Sequence, residues 1–167
     1  QLNTLSDSLD RDSDGLADMG KDLQNRARTA MSTLGATYPE LSGYYPQPKG
    51  LLFPAFLSVQ NLSGIYSPFT IEANYNSAMV SYNLPFTICH ELSHLRGFMQ
   101  EEEANFIGFL ACVSTDDTAF NYSGYLLGWI YATNELYETG YDTFEEVYSR
   151  LSDNVKADLS ANSSFWN

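Results

Sequence analysis

Both histidines of the chain fall inside one five-residue stretch, His90-Glu91-Leu92-Ser93-His94. The spacing has chemical meaning on a helix, where residues four apart stand one turn apart on the same face. Two imidazoles so placed can bind one zinc ion, and Glu91 beside them can act on a metal-bound water. The plainer reading is a pair of half-exposed histidines on an amphipathic helix. If the metal reading holds, it constrains the fold at once. A catalytic zinc takes three protein ligands, and no third histidine exists, so a carboxylate or thiolate from another element must face residues 90 and 94.

The nearest candidates are Glu101, Glu102 and Glu103. On a helix starting here, Glu101 shares a face with Ala104, Asn105, Gly108 and Cys112, which are small or polar and permit a close approach. Glu103 shares its face with Phe106, Ile107 and Leu110, a core-like set. Glu101 is therefore the expected third ligand, with Asn105 placed to hydrogen-bond a ligand. Glu102 reads as part of a solvated first turn. Glu91 is the expected general base, taking a proton from the metal-bound water and handing it to the leaving group. An oxyanion donor must then be a tyrosine or Arg96. Tyr122 and Tyr125 are candidates, against the alternative of ordinary core packing among twelve tyrosines.

At 167 residues the chain reads as one domain, 1–167. Its net charge of −13, with only eight basic residues, speaks against nucleic-acid binding and against adhesion to an anionic membrane by charge. No apolar run is long enough to span a bilayer. The chain opens at Gln1 with neither Met nor a signal-peptide pattern, as a processed or excised form would. Helix rise places Cys89 and Cys112 roughly 9 Å apart along an antiparallel pair, too far for a disulfide.

Along the chain, Leu16, Leu23, Ala27 and Met31 predict a helix over about 16–34, behind an acidic lead-in. Residues 39–48 read as loop, Leu51-Leu52-Phe53 as an edge strand and Phe69–Tyr75 as a strand. The histidine helix is expected to be capped by Asn83 or Leu84 with Pro85 at its first position, and to stop at Gly97. Further helices are expected from Gln100 or Glu101 to Val113, and over about 122–138. A last one should open at Asp142-Thr143-Phe144-Glu145 with a capping box. The class is α+β, helix-dominated, with a small sheet before the metal helix. Asp10 to Asp18 follows D-x-D-x-D-G-x-x-D and resembles the start of a calcium loop. Its twelfth position is Lys21, so a frayed acidic helix start is the other reading.

His90-Glu91-x-x-His94 followed by Glu101-x-x-Ala104-Asn105 resembles the gluzincin metallopeptidases, in which the second-helix glutamate is the third zinc ligand. The present chain has Asn at 105 and a short gap between the two motifs. A second resemblance covers about residues 45–130. It runs through Pro48-Lys49-Gly50, Gly64-Ile65-Tyr66, Glu72-Ala73-Asn74, Pro85-Phe86-Thr87, Arg96-Gly97-Phe98 and Tyr122-Ser123-Gly124-Tyr125. It is similar to a bacterial zincin-like domain-of-unknown-function family with N-terminal membrane-spanning helices. The two resemblances imply a zincin-like fold and a zinc-dependent metallopeptidase acting on an extracytoplasmic peptide or protein. Any membrane anchor would lie outside this chain, and the number of copies is left open. In zincins the strand before the metal helix lines the cleft; here that is about Phe69–Asn76. Two other readings stand beside this one: a non-catalytic zinc-stabilised binding or sensor domain, and a zinc amidase on a cell-wall amide.

Overall fold

The computed structural model describes residues 1–51, 63–67, 69–70 and 72–166, without the side chains of residues 135 and 138. Among these, seven α-helices surround a small mixed sheet, an α+β arrangement dominated by helix. The helices are α1 (Leu2–Asp7), α2 (Leu23–Thr37), α3 (Asn83–His94), α4 (Glu101–Val113), α5 (Thr118–Thr139), α6 (Tyr141–Ser149) and α7 (Asp153–Trp166). The strands are β1 (Lys49–Gly50), β2 (Gly64–Ser67) and β3 (Glu72–Tyr75), in the order β1-β3-β2. No helix of the described residues is long and apolar enough to cross a membrane.

Helix α3 is the hub. Eleven of its twelve residues are buried, so it is covered on every side. It packs on α2, α4, α5 and on strands β2 and β3. Its start differs from expectation. Tyr82 is the N-cap, without a side-chain cap bond, and Pro85 is the third helical residue. A hydroxyl from another helix completes this end: Ser123 Oγ accepts from the Phe86 amide at 3.1 Å and donates to the Tyr82 carbonyl at 2.5 Å. Gly108 on α4 lies against the backbone of α3, where a Cβ would stand 3.3 Å from the His90 nitrogen and the Phe86 oxygen. The small face read from Ala104 and Gly108 is thus the face that closes on the metal helix. Gly97 takes φ +92°, a conformation natural to glycine, and turns the chain from α3 into α4.

The expected helix over 16–34 begins only at Leu23. Gly15, Gly20 and Asp22 all have positive φ, and an Arg11–Ala17 bridge pins the preceding residues into a loop. Asp12 Oδ1 accepts from the amides of Asp14 and Leu16, and Asp18 Oδ1 from that of Gly20. These carboxylates cap backbone and do not gather into a metal-binding group among the described residues. Of the expected Leu51–Phe53 strand, Leu51 donates to the Tyr75 carbonyl just beyond β1, and residues 52 and 53 lie outside the described residues.

Helix α4 has the expected bounds, and α5 starts four residues early because Asp117 caps it through the Ala119 and Phe120 amides. The capping box at Asp142 does not form: α6 begins at Tyr141 behind Gly140, with no side-chain cap bond. Another helix, α7, follows it. Asp158 on α7 is fully buried and binds Arg11 with both oxygens at 2.9 Å. It also accepts from the Ala17 amide at 2.9 Å and the Tyr122 hydroxyl at 2.5 Å. This cluster ties the two ends of the chain to α5.

Cys89 and Cys112 are free and buried. No disulfide joins them, as expected, and burial, with the neighbouring Cys89 adding to it, pushes the Cys112 thiol up.

Candidate metal centre

The site is built by the last turn of α3 and the first turn of α4. His90 and His94 point from α3 into the junction, with their Nε2 atoms 3.2 Å apart. Glu101 reaches them from α4, Oε2 at 3.3 Å from His90 Nε2 and Oε1 at 3.8 Å from His94 Nε2. These three are the one such group of ligand types among the described residues, with all ligand atoms within 4.8 Å of one another. Glu103 is exposed and not part of it.

The donor set and its spacing fit zinc. Bonds of about 2.0–2.1 Å at tetrahedral angles put neighbouring ligand atoms about 3.3 Å apart, close to the 3.2 and 3.3 Å separations here, with the 3.8 Å between His94 and Glu101 somewhat wider. The ring of His94 is also set for a metal. Its Nδ1 lies 2.6 Å from the Phe98 carbonyl. A carbonyl only accepts, so Nδ1 carries the proton and Nε2 keeps its lone pair toward the cluster. His90 stands stacked on Phe86, ring centroids 6.5 Å apart. Burial, followed by the neighbouring His94, lowers its pKa and favours the neutral ring that a metal requires. Asn105 acts on His90 in the opposite sense, as a hydrogen-bonding neighbour, although Nδ1 itself has no partner in normal geometry.

Glu91 turns the other way, toward the sheet. It is 4% exposed, and its Oε2 has no hydrogen-bond partner. Burial, then the charge of Glu101, pushes its carboxyl up to about 8. What covers it is backbone: a Cβ at Gly64 would stand 2.6 Å from the Glu91 Cδ. Strand β2 can lie there because residue 64 has no side chain. Two residues on, the Tyr66 ring is 6.0 Å from that of His94.

The strand expected to line the cleft is corrected by this arrangement. β3 is paired on both sides, so neither of its edges is open. Among the described residues β1 and β2 are the two edge strands, and β2 is the one against Glu91 and His94. The oxyanion candidates are corrected too. Tyr122 is fully buried with its hydroxyl bound to Asp158. Tyr125 packs edge-on to Phe109 and lines a separate cavity with Leu2, Trp129 and Leu151. Arg96 donates to the Ser42 and Tyr44 carbonyls and lies over the Tyr45 ring, holding a loop. Tyrosines nearer the cluster are Tyr66 and Tyr131. The Tyr131 ring is 6.2 Å from Phe86, and its pKa is raised by burial and by the charge of Glu101. Gly64-Ile65-Tyr66 stood inside the second resemblance, whereas nothing in the sequence marked Tyr131.

Residues 1–167 match, end to end, a family described as protein of unknown function (DUF3810). The chain belongs to that family. No curated protein and no solved structure matches it.

Proposed function

We propose that this chain is a gluzincin-type zinc metallopeptidase. The observation that carries the reading is the convergence of His90, His94 and Glu101 beside a buried acid, Glu91, whose Oε2 has no hydrogen-bond partner. A zinc site that served only to hold the fold would not need that carboxylate, and leaving one buried and half-satisfied is destabilising. The Phe98 carbonyl orients His94, and Asn105 is the polar side chain nearest at hand to do the same for His90. Zinc in this site supplies Lewis acidity, polarising a carbonyl and strengthening water as an acid.

The chain's own residues do the rest. Glu91 accepts a proton from the attacking water and delivers it to the departing amine nitrogen. The edge of β2 away from β3, unpaired among the described residues, offers backbone donors and acceptors to an extended peptide, which strand addition would lay past Tyr66 and over Gly64. Tyr66 and Tyr131 flank the cluster and are the candidate donors to the developing oxyanion. The substrate in this reading is an extracytoplasmic peptide or protein, with any membrane anchor outside these residues.

The test is metal content by mass spectrometry followed by cleavage of a broad peptide library. Wild type should hold one zinc and cut peptides, and Glu101→Ala should lose the metal. A zinc-loaded wild type inactive on peptides but active on cell-wall amides would move the assignment to an amidase. Inactivity on both, with zinc bound and Glu91→Gln indistinguishable from wild type, would favour a binding or sensor domain.

A further inference from the structure

A cavity of ≈ 680 Å³ opens directly beside the cluster, between α3, α4 and α5. Glu101 belongs to both, lining the cavity with one side and meeting the histidines with the other. Four aromatic rings, Phe86, Phe106, Phe109 and Tyr131, make its walls. Phe86 ties these walls to the site, since its ring stacks on His90 and is also 6.2 Å from Tyr131. Phe106 and Tyr131 are 61% and 51% exposed, so apolar surface faces water right beside the metal ligands. The α5 wall carries the small residues Gly128, packed against the Phe109 ring, and Ala132. No basic side chain lines it, and Glu102 stands at its rim.

We infer that this cavity is the pocket for the side chain next to the scissile bond, and that it takes a large apolar or aromatic residue and rejects an acidic one. The inference rests on the metallopeptidase reading and adds a substrate class to it. The volume lies within the range of ligand pockets. Glu101 in its wall, and Phe86 stacked on His90, place the pocket beside the proposed metal ligands. An aromatic side chain would lose its hydration against Phe86, Phe106 and Tyr131 and cover rings that are otherwise wet. An acidic side chain would meet Glu102 with no cation to answer it.

The test uses zinc-loaded protein and three hydroxamates that share one chelating group: acetohydroxamate, 3-phenylpropanohydroxamate and the monohydroxamate of succinic acid. Binding is read by calorimetry, so no turnover is needed. The phenyl compound should bind wild type about tenfold or more tighter than acetohydroxamate, and the succinyl compound more weakly than either. Ala132→Phe, which fills the space from α5, and Phe106→Ala, which removes an exposed wall, should each pull the phenyl-to-acetyl ratio toward one while zinc content stays at wild-type level. Equal binding of the phenyl and acetyl compounds, or a ratio untouched in both variants, overturns the pocket and leaves the zinc site standing. A protein that takes up no zinc, or whose zinc binds no hydroxamate, overturns the metallopeptidase reading and the pocket with it.

Discussion

Two clusters of buried polar groups sit in this molecule, and they are finished to different degrees. At Asp158 the carboxylate meets the Arg11 guanidinium, the Ala17 amide and the Tyr122 hydroxyl, and Arg11 also binds Ser6. Only the Arg11 Nε is left over. At the α3–α4 junction, Glu91 Oε2 and His90 Nδ1 have no partner, two imidazole nitrogens face each other, and Glu101 is largely in solvent. Burial of polar groups is tolerated when they are paired and destabilising when they are not. The first cluster has its carboxylate fully answered and reads as a fastening between the chain ends. The second leaves polar groups over, and that difference is what the proposed metal site and its chemistry would account for.

The sharpest way to break this contrast is to change one carboxylate in each cluster. Glu91→Gln should lower peptide hydrolysis by about 10²-fold or more. It should leave zinc content intact and thermal stability unchanged or slightly higher, since an amide is less costly to bury there. Activity within a few-fold of wild type would end the role given to Glu91. Asp158→Ala should do the reverse. Removing one partner of a buried pair strands Arg11, at about 3 kcal/mol, the low end for such pairs, because the Arg11 side chain keeps 19% exposure. Urea unfolding measures this loss, and zinc affinity should stay near wild type. A large fall in zinc affinity without loss of stability would mean that the two clusters are not separate.

A third variant probes the lid on the unfinished cluster. Gly64→Ala puts a methyl group against the Glu91 carboxyl, so β2 or the carboxylate must shift. Overpacking of this kind costs about 1–3 kcal/mol. The expected result is a several-fold to tenfold loss in kcat/KM with zinc retained. Unchanged activity and stability together would show that β2 does not rest on Glu91.

How far each cluster could be read from the sequence follows from the range of its contacts. The His90–Glu91–His94 stretch is local, and a single helix turn carries its meaning. Glu101 followed from helix periodicity and the small residues Ala104 and Gly108. The Asp158 cluster was invisible, because Arg11 and Asp158 are 147 residues apart and neither stands in a motif. The same network misled the reading of Tyr122, whose hydroxyl was free to be assigned anywhere until Asp158 claimed it. The acidic Asp10–Asp18 stretch looked like a cation loop because spacing cannot tell a carboxylate that faces a metal from one that caps its own backbone, as Asp12 does. Residues 16–22 had helical periodicity, but glycines at 15 and 20 with positive φ set the chain as a loop.

The smallest effect concerns a polar cluster that is paired and near the surface, and it extends the contrast to pH. Arg26 donates from Nε and a terminal nitrogen to the two oxygens of Asp117, at 2.7 and 2.6 Å. Asp117 also caps α5 by accepting from the Ala119 and Phe120 amides. Burial acts to raise the Asp117 pKa, but the Arg26 and amide hydrogen bonds outweigh it and the net shift is downward. A carboxyl depressed in the folded state contributes stability above its unfolded pKa, near 3.9, and that contribution is lost as pH falls through the folded value. Both side chains are 28% exposed, so solvent screening keeps the pair to about 1 kcal/mol or less. Asp117→Asn retains a capping oxygen and removes only the charge. Urea midpoints from pH 7 to pH 3 should therefore show the variant slightly less stable than wild type at neutral pH and converging with it at the acid end. Parallel curves across that range would mean that the charge on Asp117 is not what Arg26 holds.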